Sequence, residues 1–154
     1  MARVLVVFGP NLNLLGEREP AVYGTGTLED IMGAAAALGR TEGVEVDFFQ
    51  SNSEGAIIDR LHEARHTHHA VVLNPGALAH YSYALRDAIA GIAIPVVEVH
   101  MTNVTARESF RAVSVTSPVC RGVIFGLGAD SFLLGLRAAV ALTKPEARSP
   151  KPRR

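Results

Sequence analysis

A doubly wound α/β fold, with a parallel sheet between two layers of helices, is what this sequence predicts, on three observations. Short apolar runs alternate with longer helix-like stretches along the 154 residues. The runs are almost continuously apolar, as strands buried on both faces must be. A composition 48% hydrophobic and 19% charged fits one compact domain with a real core.

Residues 4–8 are the first expected strand, and residues 9–24 the loop that follows it. Connections in such units usually run about two to six residues, so a loop this long points to a lid or binding element. The next helix is expected at 28–39, with Thr27 and Asp30 as its capping signal. A strand at 44–50 follows, then a helix at 54–68 started by Ser53. Strands at 70–74, 96–100 and 122–126 alternate with helices at 82–92 and 130–142, with a short turn around 106–111. Right-handed crossovers and short connections leave a flavodoxin-like sheet of order 2-1-3-4-5, in three layers, as the simplest topology.

Ligands of such sheets bind beyond the carboxyl ends of the strands, near the point where strand order reverses. That rule selects the 9–24 loop, Asn74-Pro75-Gly76-Ala77 and His100-Met101-Thr102-Asn103. The loop displays Asn11, Asn13, Arg18 and Tyr23.

Fifteen basic residues balance fifteen acidic ones, yet Lys144, Arg148, Lys151, Arg153 and Arg154 lie close to the carboxyl end. Without them and Glu146, ten basic residues face fourteen acidic, about −4 for the body. Such a body has no general attraction for nucleic acid or an anionic membrane. The organisation expected is a catalytic domain at 1–142 and a basic, disordered tail at 143–154, with a nucleic-acid arm as the alternative for the tail. Cys120 is the only cysteine, and no segment resembles a signal or a membrane span, so a cytoplasmic protein is expected.

Two motifs are false leads. His62-Glu63-Ala64-Arg65-His66 matches H-E-x-x-H, but at 100° per residue Ile57, Ile58, Leu61 and Ala64 form the buried face and the histidines turn away from it. His68 and His69 are read as favourable charges near that helix's carboxyl end. Gly126-Leu127-Gly128-Ala129-Asp130-Ser131 resembles a dinucleotide fingerprint without its last glycine, and a tight strand-to-helix turn explains it. No phosphate loop of the G-x-x-x-x-G-K-[ST] type is present.

Glu98 and His100 say more, because residues i and i+2 of a strand share a face. Glu98 is placed to orient the His100 imidazole or balance its charge, which suits a general acid. A strand-end histidine satisfied by its neighbour has the same spacing, and both readings stand. Tyr23 is a loop anchor or a base. A free phenol, with pKa about 10, is ionised in roughly one part in a thousand at neutral pH. A cation within about 4 to 6 Å favours the phenolate, and Arg18, Arg107 and Arg111 are candidates. Thr102 and the backbone beside it form a cradle for a carboxylate. With Asn74 and His80 as further polar groups, the ligand expected is small, anionic and hydroxylated.

Gly9-Pro-Asn-Leu-Asn-Leu-Leu-Gly16, Arg18-Glu-Pro20, Tyr23-Gly24, Gln50-Ser-Asn-Ser-Glu-Gly55, Asn74-Pro-Gly-Ala77, Leu85-Arg-Asp87, Glu98-Val-His100, Ala106-Arg-Glu108 and Gly122-Val-Ile-Phe-Gly-Leu-Gly128 together resemble type II 3-dehydroquinate dehydratase. The likeness runs in order from about residue 3 to residue 142. It implies loss of water from 3-dehydroquinate to give 3-dehydroshikimate, a step of the shikimate route, with no metal and no cofactor. An imine-forming type I mechanism is excluded on residues, since Lys144 and Lys151 are the only lysines.

The resemblance also implies roles. Tyr23 is the base, Arg18 holds its phenolate, Asn11 stabilises an enolate, and His100, oriented by Glu98, is the acid. Asn74, Thr102 and the backbone at Met101 bind the carboxylate, while His80 and Arg111 hold ring hydroxyls. Arg107 is a second active-site arginine, and Asp87 reaches a neighbouring subunit in trimers built into a dodecamer. Leu78, Ala79, Tyr81, Tyr83, Thr102, Thr105 and the pair Ala112-Val113 depart from the usual pattern. The rival reading is a flavodoxin-like module that binds flavin or nucleotide and has no dehydratase activity.

Overall fold

A computed structural model describes residues 1–23 and 26–145, the Tyr23 side chain excepted. Five parallel strands, β1 (Arg3–Phe8), β2 (Glu45–Gln50), β3 (Ala70–Asn74), β4 (Val96–His100) and β5 (Gly122–Phe125), form one sheet in the order β2-β1-β3-β4-β5. Strand order therefore reverses at β1 and β3, where Phe8 stands opposite Asn74. The helices are α1 (Pro20–Tyr23), α2 (Leu28–Glu42), α3 (Glu54–Thr67), α4 (Tyr83–Gly91) and α5 (Asp130–Thr143).

Alternation along the central strands divides the core in two. Val4, Val6, Phe8, Val72, Val97 and Val99 pack on one face with Ile31 of α2 and Phe132 and Leu136 of α5. Leu5, Val7, Val71, Leu73 and Val96 pack on the other with Ile57 and Leu61 of α3 and Leu85 and Ile89 of α4. Burying both faces removes enough apolar surface for the hydrophobic effect to hold the three layers together. Among the described residues no helix is long and apolar enough to cross a membrane.

The expected elements are present, with shifted ends that have local causes. Helix α2 runs through Gly39 to Glu42 and stops at Gly43, whose φ of 73° makes the left-handed cap. Gly39 serves packing instead: a Cβ there would meet Val46 Cγ2 at 2.5 Å. Thr27 and Asp30 form the expected reciprocal capping box, and Ser53 accepts from the Ala56 amide. Strand β5 ends at Phe125 because Gly126 turns at φ 94°. It is an edge strand whose side chains are largely exposed, so the expected burial on both faces fails there. The turn expected at 106–111 is two 3-10 turns, Val104–Ala106 and Ser109–Ala112. Thr143 closes α5, and of the basic tail residues 146–154 lie outside the described residues.

His62 and His66 are exposed on α3 while Ile57, Leu61 and Ala64 are buried, which leaves H-E-x-x-H on a solvated face. His68 corrects the sequence reading. It is buried, with Nε2 2.8 Å from Asp47 Oδ2 and Nδ1 2.8 Å from the Thr67 hydroxyl, and Arg3 Nη2 donates to the same Asp47 oxygen at 2.7 Å. The chain turns inward after Thr67 to start β3, carrying His68 beneath the helix end instead of into water.

Burial holds His68 below its ordinary pKa despite the Asp47 hydrogen bond. For Asp47, burial opposes ionisation, but hydrogen bonds from His68 and Arg3 outweigh it and hold the carboxyl below its ordinary value. A histidine with a depressed folded pKa contributes stability that is full above its unfolded value of 6.5 and is lost as pH falls. Asp47 adds a loss of the same sign that begins near 3.8. Melting temperature should therefore decline first below pH 6.5, and His68→Asn should flatten that first decline. An unchanged pH profile in the variant would show that His68 is not its source.

Gly9 seats the long loop. Its N–H donates to the Asn74 carbonyl at 2.8 Å, and a Cβ at Gly9 would stand 2.8 Å from Asn74 O and from the Pro75 carbonyl carbon. Backbone cannot yield as a side chain can, so Gly9→Ala should destabilise the domain by about 1 to 3 kcal/mol in urea unfolding. Gly33→Ala, in α2 with nothing within 4 Å of the added methyl, should instead stabilise it. Equal effects of the two would contradict the close-approach account.

Candidate active site

The ends of β1, β3 and β4 open onto one cleft, lined by Asn11, Arg18, Asn74, His80, His100 and Thr102, with Met101, Arg107 and Arg111 completing its wall. The cleft is small, and polar side chains make up most of its wall. Three guanidinium groups reach it, and no aspartate or glutamate is among its described lining residues. Guanidinium groups are ordinary partners of carboxylates and other anions.

The loop supplies Asn11 and Arg18, and its first half is packed, not free. A 3-10 turn, Leu12–Leu14, follows Asn11, and Leu12 and Leu15 are buried in the core shared with Phe8. Asn11 adopts the left-handed φ of 72°, and its N–H donates to Asn52 Oδ1 at 2.9 Å. Gln50 Nε2 braces the same place, donating to Asn52 Oδ1 at 3.1 Å and to the Gly9 carbonyl at 3.4 Å. The Arg18 N–H donates to the Leu14 carbonyl at 2.9 Å, and Arg18 Nε stands 3.7 Å from Glu19 Oε2. Tyr23 ends the helical turn α1; its side chain lies outside the described residues.

Strand β3 delivers Asn74, which is buried. Its Oδ1 accepts from the Gly76 amide at 3.0 Å, so the group it has to offer a ligand is the Nδ2 donor. His80, at the end of the turn Gly76–His80, has Nδ1 2.7 Å from the Val113 carbonyl. A carbonyl only accepts, so Nδ1 carries the proton and Nε2 is left to meet a ligand. The His80 and His100 rings lie nearly parallel, 6.3 Å apart.

Strand β4 delivers Glu98 and His100. His100 Nε2 stands 2.8 Å from Glu98 Oε2, with Glu98 fully buried and His100 7% exposed. The i and i+2 spacing has done what the strand geometry requires, and the ring's other nitrogen, Nδ1, is left for the cleft. The Thr102 hydroxyl accepts from Arg107 Nη1 at 3.3 Å and keeps its own proton to donate. Arg111 is held by Glu108, Nε to Oε1 at 3.0 Å and Nη2 to Oε2 at 3.4 Å, and its guanidinium lies 4.8 Å over the Phe110 ring. The Arg111 hydrogen bond, first of all, holds the exposed Glu108 carboxyl below its ordinary range.

Of the candidate residues singled out in the sequence, Asp87, exposed on α4, and Asn13 do not line this cleft. Glu98 lies behind His100 and does not line the wall. Sequence reasoning passed over Gln50 and Asn52 as loop braces, and Ser114 and Thr116, whose hydroxyls both contact Glu98. Their signal in the sequence is only a Ser-Val-Thr alternation in a segment with no strand or helix pattern.

The family model for class II dehydroquinase matches residues 2–140. The 3-dehydroquinate dehydratase of Pelotomaculum thermopropionicum is 55% identical over 140 residues, covering 91% of this chain and 97% of that protein. The 3-dehydroquinate dehydratase of Ruegeria pomeroyi is 52% identical over 146 residues, covering 95% and 98%. The crystal structure of the type II dehydroquinase of Butyrivibrio crossotus superposes with a TM-score of 0.88 at 44% identity, covering 90% of this chain and 97% of that one. With the family model matched over residues 2–140 and the fold shared over nine-tenths of its length, the chain belongs to the class II dehydroquinase family.

Proposed function

We propose that this chain eliminates water from 3-dehydroquinate to give 3-dehydroshikimate, with Tyr23 as base and His100 as acid on opposite sides of the ring. The observation that carries the reading is His100 bonded to a fully buried Glu98 at 2.8 Å, across a cleft that also receives Arg18 from the loop.

The Tyr23 phenolate, held in that form by Arg18, takes a proton from the carbon α to the ketone. The C–H electron pair moves onto the ketone oxygen, and the enolate forms. Asn11 offers a preorganised dipole to that oxygen, a contribution that costs no reorganisation at the moment of reaction. The enolate then collapses, the carbon–oxygen bond of the tertiary hydroxyl breaks, and the imidazolium of His100 gives its Nδ1 proton to the departing oxygen. Water and a conjugated enone result, and the base and acid return to their starting forms by proton exchange with solvent.

Asn74, Thr102 and the Met101 backbone bind the substrate carboxylate; His80 and Arg111 hold ring hydroxyls; Arg107 adds charge. No cofactor takes part. Asp87 completes a neighbour's site in trimers assembled as a dodecamer, in the cytoplasm. Light scattering tests the assembly, and a monomeric protein would remove that role from Asp87.

Opposed acid and base require anti elimination. Substrate deuterated on one face of the α carbon, followed by proton NMR, should lose the hydrogen anti to the leaving hydroxyl. Loss of the syn hydrogen would overturn the two-sided arrangement.

A further inference from the structure

We propose that Thr116, with Ser114 beside it, is a positioning residue that sets the angle at which His100 delivers its proton. The inference rests on the reading of His100 as the acid.

Glu98 and Thr116 are both fully buried. Each carboxylate oxygen takes a hydroxyl proton, Thr116 Oγ1 to Oε1 at 2.5 Å and Ser114 Oγ to Oε2 at 3.0 Å. Oε2 also faces His100 Nε2 at 2.8 Å. A hydroxyl carries one proton. With both protons given to the carboxylate, the 3.1 Å contact between Ser114 and Thr116 carries none, and Ser114 uses a lone pair to accept from the Ser117 amide at 2.9 Å. Proton accounting therefore closes with the carboxylate as acceptor from every neighbour.

Donors on both oxygens fix the carboxylate plane. Rotation that swings Oε2 off the imidazole must break a charge-assisted bond where water does not replace it. The ring is held by the carboxylate, so a fixed carboxylate means a fixed ring, with Nδ1 left toward the cleft. The Thr116 hydroxyl has no competing local duty. Thr116 stands at the N-cap position of the 3-10 turn Ser117–Val119, yet its side chain makes no capping hydrogen bond. Its proton goes to Glu98 instead. Cys120 Sγ, 3.4 Å from the Thr116 carbonyl and 4.0 Å from Oε1, packs the last side of the carboxylate.

Thr116→Val keeps the side-chain shape and removes the hydroxyl. It should lower kcat about tenfold to a hundredfold with KM within about twofold, since the loss falls on the transition state alone. Thr116→Ser should restore kcat to within about threefold, because it returns the donor and not the packing. His100→Asn is measured alongside. If Thr116→Val keeps full kcat while His100→Asn loses it, the positioning role is overturned and the acid stands. If both keep it, the acid assignment falls first. A rise in KM with kcat unchanged, or a serine variant as impaired as the valine one, would also overturn the proposal. Should the valine variant not fold, Ser114→Ala takes its place, with the same loss confined to kcat expected.

Discussion

Tyr23→Phe should lower kcat by about two to four powers of ten while leaving the affinity for a non-reacting substrate analogue nearly unchanged. The phenyl ring keeps the volume of tyrosine and loses only the oxygen that accepts the proton. Arg18→Gln should cost a comparable factor, because without its cation the phenol at neutral pH stays protonated in all but about one part in a thousand. The double variant should then be little worse than either single one, since residues acting as one unit are strongly non-additive. Near-normal turnover in Tyr23→Phe would remove the base. Additive losses in the double variant would separate Arg18 from it.

His100→Asn should lower kcat by about two to four powers of ten as well, by stopping the other half of the reaction. Asparagine spans much of the imidazole's length and can donate a hydrogen bond, but it has no acidic proton to transfer to the leaving oxygen. Proton abstraction by Tyr23 should survive. In deuterium oxide the variant should exchange the α hydrogen of 3-dehydroquinate into solvent while forming little product. Loss of exchange together with loss of product would mean that His100 supports the first step, and would contradict its assignment as an acid for the second.

Much of this architecture is legible in the sequence because parallel strands buried on both faces write themselves as apolar runs. Residues 70–74 and 96–100 are such runs, and they are strands β3 and β4 with the same bounds. The rule that ligands bind where strand order reverses then gathers Asn11, Asn74 and His100 into one cleft from three distant segments. Strand alternation accounts for Glu98 beneath His100.

What sequence reasoning missed depends on contacts between elements. Gly39 looks like a helix stop, but its role is to admit Val46 from the neighbouring strand. His68 looks like a helix-end cation and is buried on Asp47, a partner twenty-one residues away whose position is set by the pairing of β1 with β2. Strand β5 reads like the others, but nothing in an apolar run tells an edge strand from a central one. Ser114 and Thr116 reach Glu98 only because the chain after β4 folds back through two short turns.

The central claim is that this cleft removes water from 3-dehydroquinate, and ultraviolet absorbance tests it most directly. The substrate has an isolated ketone and the product a conjugated enone, so purified, folded protein mixed with 3-dehydroquinate should produce a steady rise in absorbance, with no added metal or cofactor. A flat trace from freshly prepared, folded protein would contradict the account.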